Sequence, residues 1–261
     1  MKRSTGNLTR PRGIAVNPVN GEIAIADVVN DRILLYNARH EFLSEFGKTG
    51  RASGYLHKPF GVAYTLDGRL VVTEEMNHRV QLFDSKTGEF LRSFGKKGNG
   101  DKEFNFPTAV SVANDGRIIV CDGAINRRVK VLDSNIDRIL LQFPVQREYS
   151  DPLLSSCIFH HDRFFLTDSK NRCIKVYDNT GVLINTFENI FQEPQGLCVY
   201  SSSNLIVCDR GKEENIKMIT LDGQLVGRSL QPIPDSDQVA KCLNDTIVVT
   251  RPDKGSLSFL R

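Results

Sequence analysis

The chain alternates short apolar runs with short polar turns over almost its whole length. Runs rich in Val, Ile and Leu, such as residues 23–26, 70–72 and 118–121, stand beside Asn-Gly or Asp-Gly pairs or end at an acidic residue. Such runs are typical of β-strands, and Asn-Gly and Asp-Gly pairs are typical of tight hairpin turns. No stretch shows a sustained period of 3.6 residues, so the pattern predicts an all-β protein.

The strand pattern recurs along the chain. A Pro-x-Gly strand begins at Pro11 and Pro59, returns as Pro-x-Ala at Pro107, in steps of 48 residues, and recurs at Pro194. A second strand ends in an acidic residue in five copies, at Asp27, Glu74, Asp122, Asp168 and Asp209. Each copy contains up to four strands, and six copies fill the sequence, so the pattern predicts a six-bladed β-propeller.

The repeats divide the chain without leaving room for a second domain. We place them at about residues 8–47, 56–95, 106–143, 154–187, 191–230 and 233–261, within one domain over residues 1–261. The last repeat supplies only three strands. Residues 2–5 align with the fourth strand of the first repeat, so we expect this N-terminal segment to close the ring as the outer strand of the last blade.

Composition and charge narrow the possible functions. The 261 residues are 40% hydrophobic and 25% charged, which is typical of globular proteins, and no apolar run is long enough to span a membrane. The six cysteines form no Cys-x-x-Cys pair, which favours reduced core thiols in an intracellular protein over disulfides or a zinc site. The net charge is only +3, but residues 1–100 hold 15 Lys and Arg against 10 Asp and Glu.

Two repeated features predict structural roles. The small residue that ends Pro-x-Gly is expected where first strands converge on a central channel. The repeated acids are expected to accept hydrogen bonds from backbone groups where the second strand turns into the third, because a catalytic acid would be unique rather than repeated. Arg79 and Arg128, which open third strands, are expected to bond to these acids.

The motifs resemble NHL repeats over nearly the whole chain. The resemblance rests on the Pro-x-Gly strand, on the run from Asn77 through His78 to Asp84, and on Phe-Gly-x-x-Gly at Phe46 and Phe94. It implies a cytoplasmic post-transcriptional regulator of the tripartite-motif NHL and Brat-like family, a group associated with translational repression. In such proteins one propeller face binds single-stranded or stem-loop RNA, often U-rich. Any ubiquitin-ligase activity would reside in an N-terminal part outside this chain.

Binding RNA requires cations for phosphates and flat groups for unstacked bases. Both occur in the loops that enter the first strands and in the turns between second and third strands. Longer loops there also carry Lys48, Arg51, His57, Lys96, Lys97 and Lys102. The candidate RNA-binding residues are Arg12, Asn30, Lys58, Phe60, Asn77, His78, Thr108, Asn126, Arg127, Arg172 and Gln195.

Several of these candidates have a second interpretation. Phe60 is either a platform for base stacking or a side chain that packs over a neighbouring loop. Arg127 and Arg172 either contact RNA or are solvated loop residues. The Asn residues have amides able to read base edges, but turn chemistry explains them equally well.

Two rival functions remain at this point. A protein-interaction module would recruit substrates to an attached ubiquitin ligase, or repressor partners, through the same face or the opposite one. An enzyme is the other rival, because some NHL propellers are lyases with a metal in the channel. No set of His residues recurs at equivalent inward positions, so we expect no catalytic residues, no metal and no cofactor. We also expect no membrane association and a monomeric isolated domain.

Overall fold

The computed structural model describes residues 8–123, 125–146, 154–210, 216–226 and 233–260. In these ranges 22 strands form six antiparallel sheets, or blades. Blade one contains β1 (Pro11–Val16), β2 (Ile23–Asp27), β3 (Arg32–Tyr36) and β4 (Phe42–Phe46). Blade two contains β5 (Pro59–Tyr64), β6 (Leu70–Glu74), β7 (Arg79–Phe83) and β8 (Phe90–Phe94). Blade three contains β9 (Val110–Val112), β10 (Ile118–Asp122), β11 (Arg128–Leu132) and β12 (Ile139–Pro144).

The second half of the chain continues the pattern. Blade four contains β13 (Leu154–His160), β14 (Arg163–Asp168), β15 (Cys173–Asp178) and β16 (Leu183–Phe187). Blade five contains β17 (Pro194–Val199), β18 (Asn204–Asp209) and β19 (Ile216–Thr220), and blade six contains β20 (Val239–Lys241), β21 (Ile247–Arg251) and β22 (Ser256–Leu260). A single 3₁₀ turn, Pro252–Lys254, is the only helical element among the described residues. None of the helical structure in these ranges has the length and apolarity needed to cross a membrane.

The first strands of successive blades contact one another around a central channel. The order is β1, β5, β9, β13, β17 and β20, and β20 returns to β1. The chain is a six-bladed β-propeller, as the repeats predicted. Residues 2–5, which we expected to complete the last blade, lie outside the described ranges.

The hydrophobic core lies between the blades rather than at the centre of the ring. Ile23 and Ile25 of β2 pack with Val248 of blade six, whereas Ala24 and Ala26 pack with Val62 of blade two. Consecutive strand residues point to opposite sides of a sheet, and here both sides are covered. This is why the second strands are continuously apolar instead of alternating with polar residues.

The small residues of the Pro-x-Gly strands are required by the neighbouring blade. A Cβ atom on Gly13 would lie 2.5 Å from the carbonyl oxygen of Phe60, and one on Gly61 would lie 2.8 Å from that of Thr108. Neither distance leaves room for a side chain. The predicted role of these positions in the convergence of first strands is confirmed, and the backbone of the next first strand is what imposes it.

The cysteines are part of the packed interior. All six are free thiols; Cys198 is half-buried and the other five are buried. Burial raises the pKa of Cys198 to about 12, so its sulfur stays protonated at neutral pH. The five buried thiols are therefore core side chains, as the sequence predicted, whereas Cys198 lines the central channel.

Candidate nucleic-acid interface

Two sets of connections meet at one end of the propeller, which we call the upper face. One set enters the first strands and includes residues 47–58 and 95–106. The other joins second to third strands and includes residues 28–31 and 75–78. Direct contacts tie the sets together: the Asn77 amide, for example, donates to the carbonyl of Gly50 (2.9 Å).

The repeated acids are buried beneath the upper face and hold its loops by hydrogen bonds. Glu74 is buried and accepts hydrogen bonds from the backbone N–H of His57 (3.0 Å), the Asn77 amide (2.6 Å) and Arg79 Nε (2.5 Å). Burial raises the pKa of Glu74, and the Arg79 contacts oppose that shift. The acid therefore fixes the loop that enters the first strand to the turn that follows the second.

Blade three repeats this arrangement. Asp122 accepts hydrogen bonds from the backbone of Asn105 (2.7 Å), from the Asn126 amide (2.7 Å) and from Arg128 Nε (2.8 Å). The predicted structural role of the acids is confirmed, as is the bonding of Arg79 and Arg128 to them. The backbone donors in these two blades come from the loop that enters the first strand rather than from the turn itself.

This network changes the interpretation of the three Asn candidates. Asn30, like Asn77 and Asn126, donates its amide to the acid of its own blade (Asp27, 2.7 Å) and to a neighbouring loop atom. Their donors are thus used within the protein. The structure favours the turn interpretation of these residues over base reading.

The candidate residue His78 and its counterpart in blade one, Asp31, connect one blade to the next. His78 and Asp31 both adopt left-handed backbone, with φ of 54° and 50°. His78 Nδ1 accepts the backbone N–H of Phe106 (3.1 Å), and Asp31 accepts that of Lys58 (2.6 Å). His78 is buried, and burial, followed by the charge of Lys97, lowers its pKa. The His78 side chain is therefore packed into the upper face and does not project from it.

Thr108 and Gln195 do not project from the upper face. Their exposed fractions are 7% and 5%. Thr108 Oγ1 donates to the carbonyl of Leu154 (2.9 Å), and the Gln195 amide donates to Glu193 (2.9 Å). The assignment of these two side chains to an RNA-binding surface is corrected here, because both are enclosed and bonded within the protein.

Three candidates, Arg12, Lys58 and Phe60, meet in one depression together with the nearby cation Arg10. We call this depression the Phe60 cleft. It has a volume of about 480 Å³, and its lining residues are Arg10, Arg12, Val28, Val29, Asp31, His57, Lys58, Phe60 and Glu75. The ring of Phe60 is half-buried. The guanidinium of Arg12 lies 5.4 Å from the ring centroid and also pairs with the buried carboxylate of Asp237. The cleft therefore combines an aromatic ring with several cations.

A second depression, the Arg51–Lys97 cleft, lies on the other side of the turn formed by residues 75–78. Its volume is about 410 Å³, and its lining residues are Arg51, Met76, Asn77, His78, Arg79 and Lys97. Arg51 and Lys97 are exposed. The sequence identified both only as loop cations, because their convergence depends on how two neighbouring blades pack.

Arg127 and Arg172 belong to the same face on blades three and four but line neither cleft. Both have left-handed backbone, with φ of 51° and 57°. Arg127 is half-buried and its carbonyl accepts the N–H of Val145 (2.8 Å), whereas Arg172 is exposed. The structure thus separates these two arginines from the cluster around Phe60.

The central channel contains a cavity of about 390 Å³. First strands of all six blades line it, with small side chains such as Ala63, Ser111, Cys198 and Ala240. Within the described ranges, no three His, Cys, Asp or Glu side chains converge closely enough to hold a metal ion. The described channel wall thus combines small groups with larger ones such as Tyr64, Phe159 and Lys241.

Comparison with known proteins agrees with the fold. The profile of the DUF5128 family, described as a 6-bladed beta-propeller, matches residues 59–139. Virginiamycin B lyase from Staphylococcus aureus superposes with a TM-score of 0.70 at 14% identity, covering 99% of this chain and 86% of that chain. A gluconolactonase from Xanthomonas campestris gives a TM-score of 0.74 at 16% identity, covering 97% and 86%. At these identities the likeness concerns the fold alone.

One sequence match comes from an animal protein. Protein brain tumor of Drosophila melanogaster is 35% identical over 81 residues, which is 30% of this chain. The match spans only 8% of that longer protein. It is a distant link over a short segment.

Proposed function

We propose that the upper face binds single-stranded, U-rich RNA, and that the chain is the propeller of a cytoplasmic post-transcriptional regulator of the NHL type, without catalytic residues of its own. The observation that carries this proposal is the Phe60 cleft, in which an aromatic ring lies beside Arg12 and Lys58. The resemblance to NHL repeats and the short match to the Drosophila protein support it.

The chemistry of the cleft suits an unpaired nucleotide. Base stacking on an aromatic ring tolerates any base, because every base has a flat π-face, while nearby cations attract phosphates. Arg12 is held in place by Asp237, with its guanidinium over the Phe60 ring. A double helix would not place a free base in such a depression.

The test is to remove the ring. Phe60→Ala should weaken binding of a short oligouridine by about 5- to 150-fold, the equivalent of about 1–3 kcal/mol for one stacked base. Fluorescence anisotropy at fixed salt measures it, and a thermal melt verifies that the variant is folded.

A matched pair of lysine variants adds a control. Lys58→Gln should weaken binding, whereas Lys86→Gln, in the β7–β8 turn on the opposite face, should not. Equal effects of the two would show non-specific charge attraction. Unchanged affinity in Phe60→Ala would contradict the proposed site.

A protein partner is the second candidate function, and one observation favours it. Val19, Leu66 and Leu243 are exposed in the β1–β2, β5–β6 and β20–β21 turns of consecutive blades, at the end of the channel away from the upper face. Apolar side chains grouped on a surface are typical of protein interaction sites. If an in vitro RNA selection on this chain enriches no motif, this second function becomes the better proposal.

A further inference from the structure

The Arg51–Lys97 cleft differs from the Phe60 cleft in its charge. None of its six lining residues is acidic, whereas Asp31 and Glu75 line the Phe60 cleft. Among the described residues, neither Arg51 nor Lys97 has an ion-pair partner. Two uncompensated cations therefore face one depression, which is a site for an anion.

The backbone under both cations is fixed. Arg79 donates to the carbonyls of Arg51 (3.0 Å) and Ala52 (2.9 Å), which holds the first of the two loops. In the second loop Lys97 pairs with Phe104 in a parallel β-bridge, and Arg128 of blade three donates to the carbonyl of Asn99 (2.7 Å). Because both loops are tied to their blades, little backbone freedom is lost when a ligand binds between them.

His78 lines the same cleft and is fixed by its contact with the next blade. Its Nδ1 accepts the N–H of Phe106, so in the neutral ring the proton resides on Nε2. Burial is the main cause that lowers the pKa of His78, and the positive charge of Lys97 adds to it, while the charges of Asp122 and Glu75 oppose the shift. An anion in the cleft would meet the cations of Arg51 and Lys97.

The two clefts are neighbours. Glu75 lines the Phe60 cleft, and the next residue in the chain, Met76, lines the Arg51–Lys97 cleft. The single turn of residues 75–78 is thus the ridge between them. A chain that enters one cleft needs to cross only this ridge to reach the other.

We propose that the Arg51–Lys97 cleft binds a phosphodiester group of the same RNA strand whose base occupies the Phe60 cleft. This inference rests on the proposed RNA-binding function and assigns to it a backbone-binding site. Stacking at Phe60 holds a base, and the second cleft fixes the direction in which the strand continues over blades two and three.

The first test uses salt. For single strands, each neutralised phosphate contributes about 0.7 to the slope of log affinity against log salt. The double variant Arg51→Gln/Lys97→Gln should therefore bind oligouridine more weakly at low salt, with a slope smaller by about 0.7, because one phosphodiester group loses its cations. Phe60→Ala should reduce affinity without changing the slope, and Lys86→Gln should change neither. Both cations are exposed, so the double variant should melt at the wild-type temperature.

The second test locates the phosphate. Oligouridines that carry one uncharged methylphosphonate linkage, moved along the strand, should bind the wild type more weakly at one or two positions only. The double variant should show no loss at those positions. An unchanged salt slope in the double variant, or equal losses at all linkages, would overturn this inference while Phe60→Ala still supports RNA binding. A wild-type protein that binds no RNA would overturn both proposals.

Discussion

At the scale of single residues, His78 shows why a motif position does not by itself reveal a role. His78 and Asp31 each stand between an Asn and an Arg in their repeats, and both accept a backbone N–H from the next blade. A carboxylate accepts at any pH near neutrality, but imidazole Nδ1 accepts only when the ring is neutral. The latch between blades two and three therefore depends on the protonation of His78.

Acidification should weaken this latch. Burial and Lys97 lower the pKa of His78, although the charges of Asp122 and Glu75 oppose the shift. The unfolded chain binds a proton near pH 6.5 while the folded chain resists it, so stability falls as pH falls through that value. Urea denaturation at pH 7.5 and pH 5.5 should show a smaller loss for His78→Asn than for the wild type. Asn tolerates left-handed backbone and keeps an acceptor oxygen. Identical losses would contradict this role for His78.

At the scale of elements, the loops of residues 47–58 and 95–106 have the same supports with different chemistry. Gln81 donates to the carbonyl of Tyr55 (2.8 Å), and Lys130, at the equivalent place one blade later, donates to that of Glu103 (2.7 Å). Burial is the main cause that lowers the pKa of Lys130 to about 8. Each loop is held by the blade that follows it, so the site depends on the third strand as much as on the loop sequence.

Removing one acid should loosen one loop. Asp122→Asn leaves the buried guanidinium of Arg128 without its ion-pair partner, and such losses cost about 3–5 kcal/mol. Asp115→Asn is the matched control, because Asp115 is exposed and pairs with the half-buried Arg117 at the surface, where ion pairs contribute about 0–1 kcal/mol. Chemical denaturation measures the cost. Hydrogen exchange should show faster exchange in residues 95–106 of Asp122→Asn, and equal stability of the two variants would disprove the proposed support.

At the scale of the whole molecule, the ring is closed where the first and last blades meet. Ile14 and Ile25 pack with Ala240 and Val248 across this junction. Arg12 of β1 also pairs with Asp237, which precedes β20 and is fully buried. Burial raises the pKa of Asp237, and the positive charge of Arg12 opposes that shift.

The closing ion pair should behave as a coupled unit. Arg12→Gln leaves a buried carboxylate unpaired and should destabilise the protein by about 3–5 kcal/mol. Asp237→Asn should also destabilise it, and the double variant should lose less than the sum of the two single losses. Urea denaturation of the wild type, the two single variants and the double variant measures the coupling free energy between the two side chains. Simple additivity would show that the two side chains do not interact.

The residues that repeat were the ones whose role the sequence predicted well. The spacing of Pro11, Pro59 and Pro107 and the acids at Asp27 and Glu74 indicated six four-stranded units, and the structure confirms the six-bladed fold. Repeated residues make contacts that recur from blade to blade, so their role can be recognised from the sequence pattern alone. The candidate site was predicted less well, because Thr108 and Gln195 have the same motif position as the half-buried Arg12 and Phe60 yet are buried.

The sequence by itself determined the strand order, the number of blades and the chemistry that holds each loop, because these depend on neighbours within one repeat or on the next repeat. Only the tertiary structure decided which side chains face solvent and which meet across blades. Arg51 and Lys97 are 46 positions apart and share a cleft because two loops from successive blades pack against one turn. That convergence depends on the packing angle between sheets, which is set by the apolar layers between the blades and not by either loop.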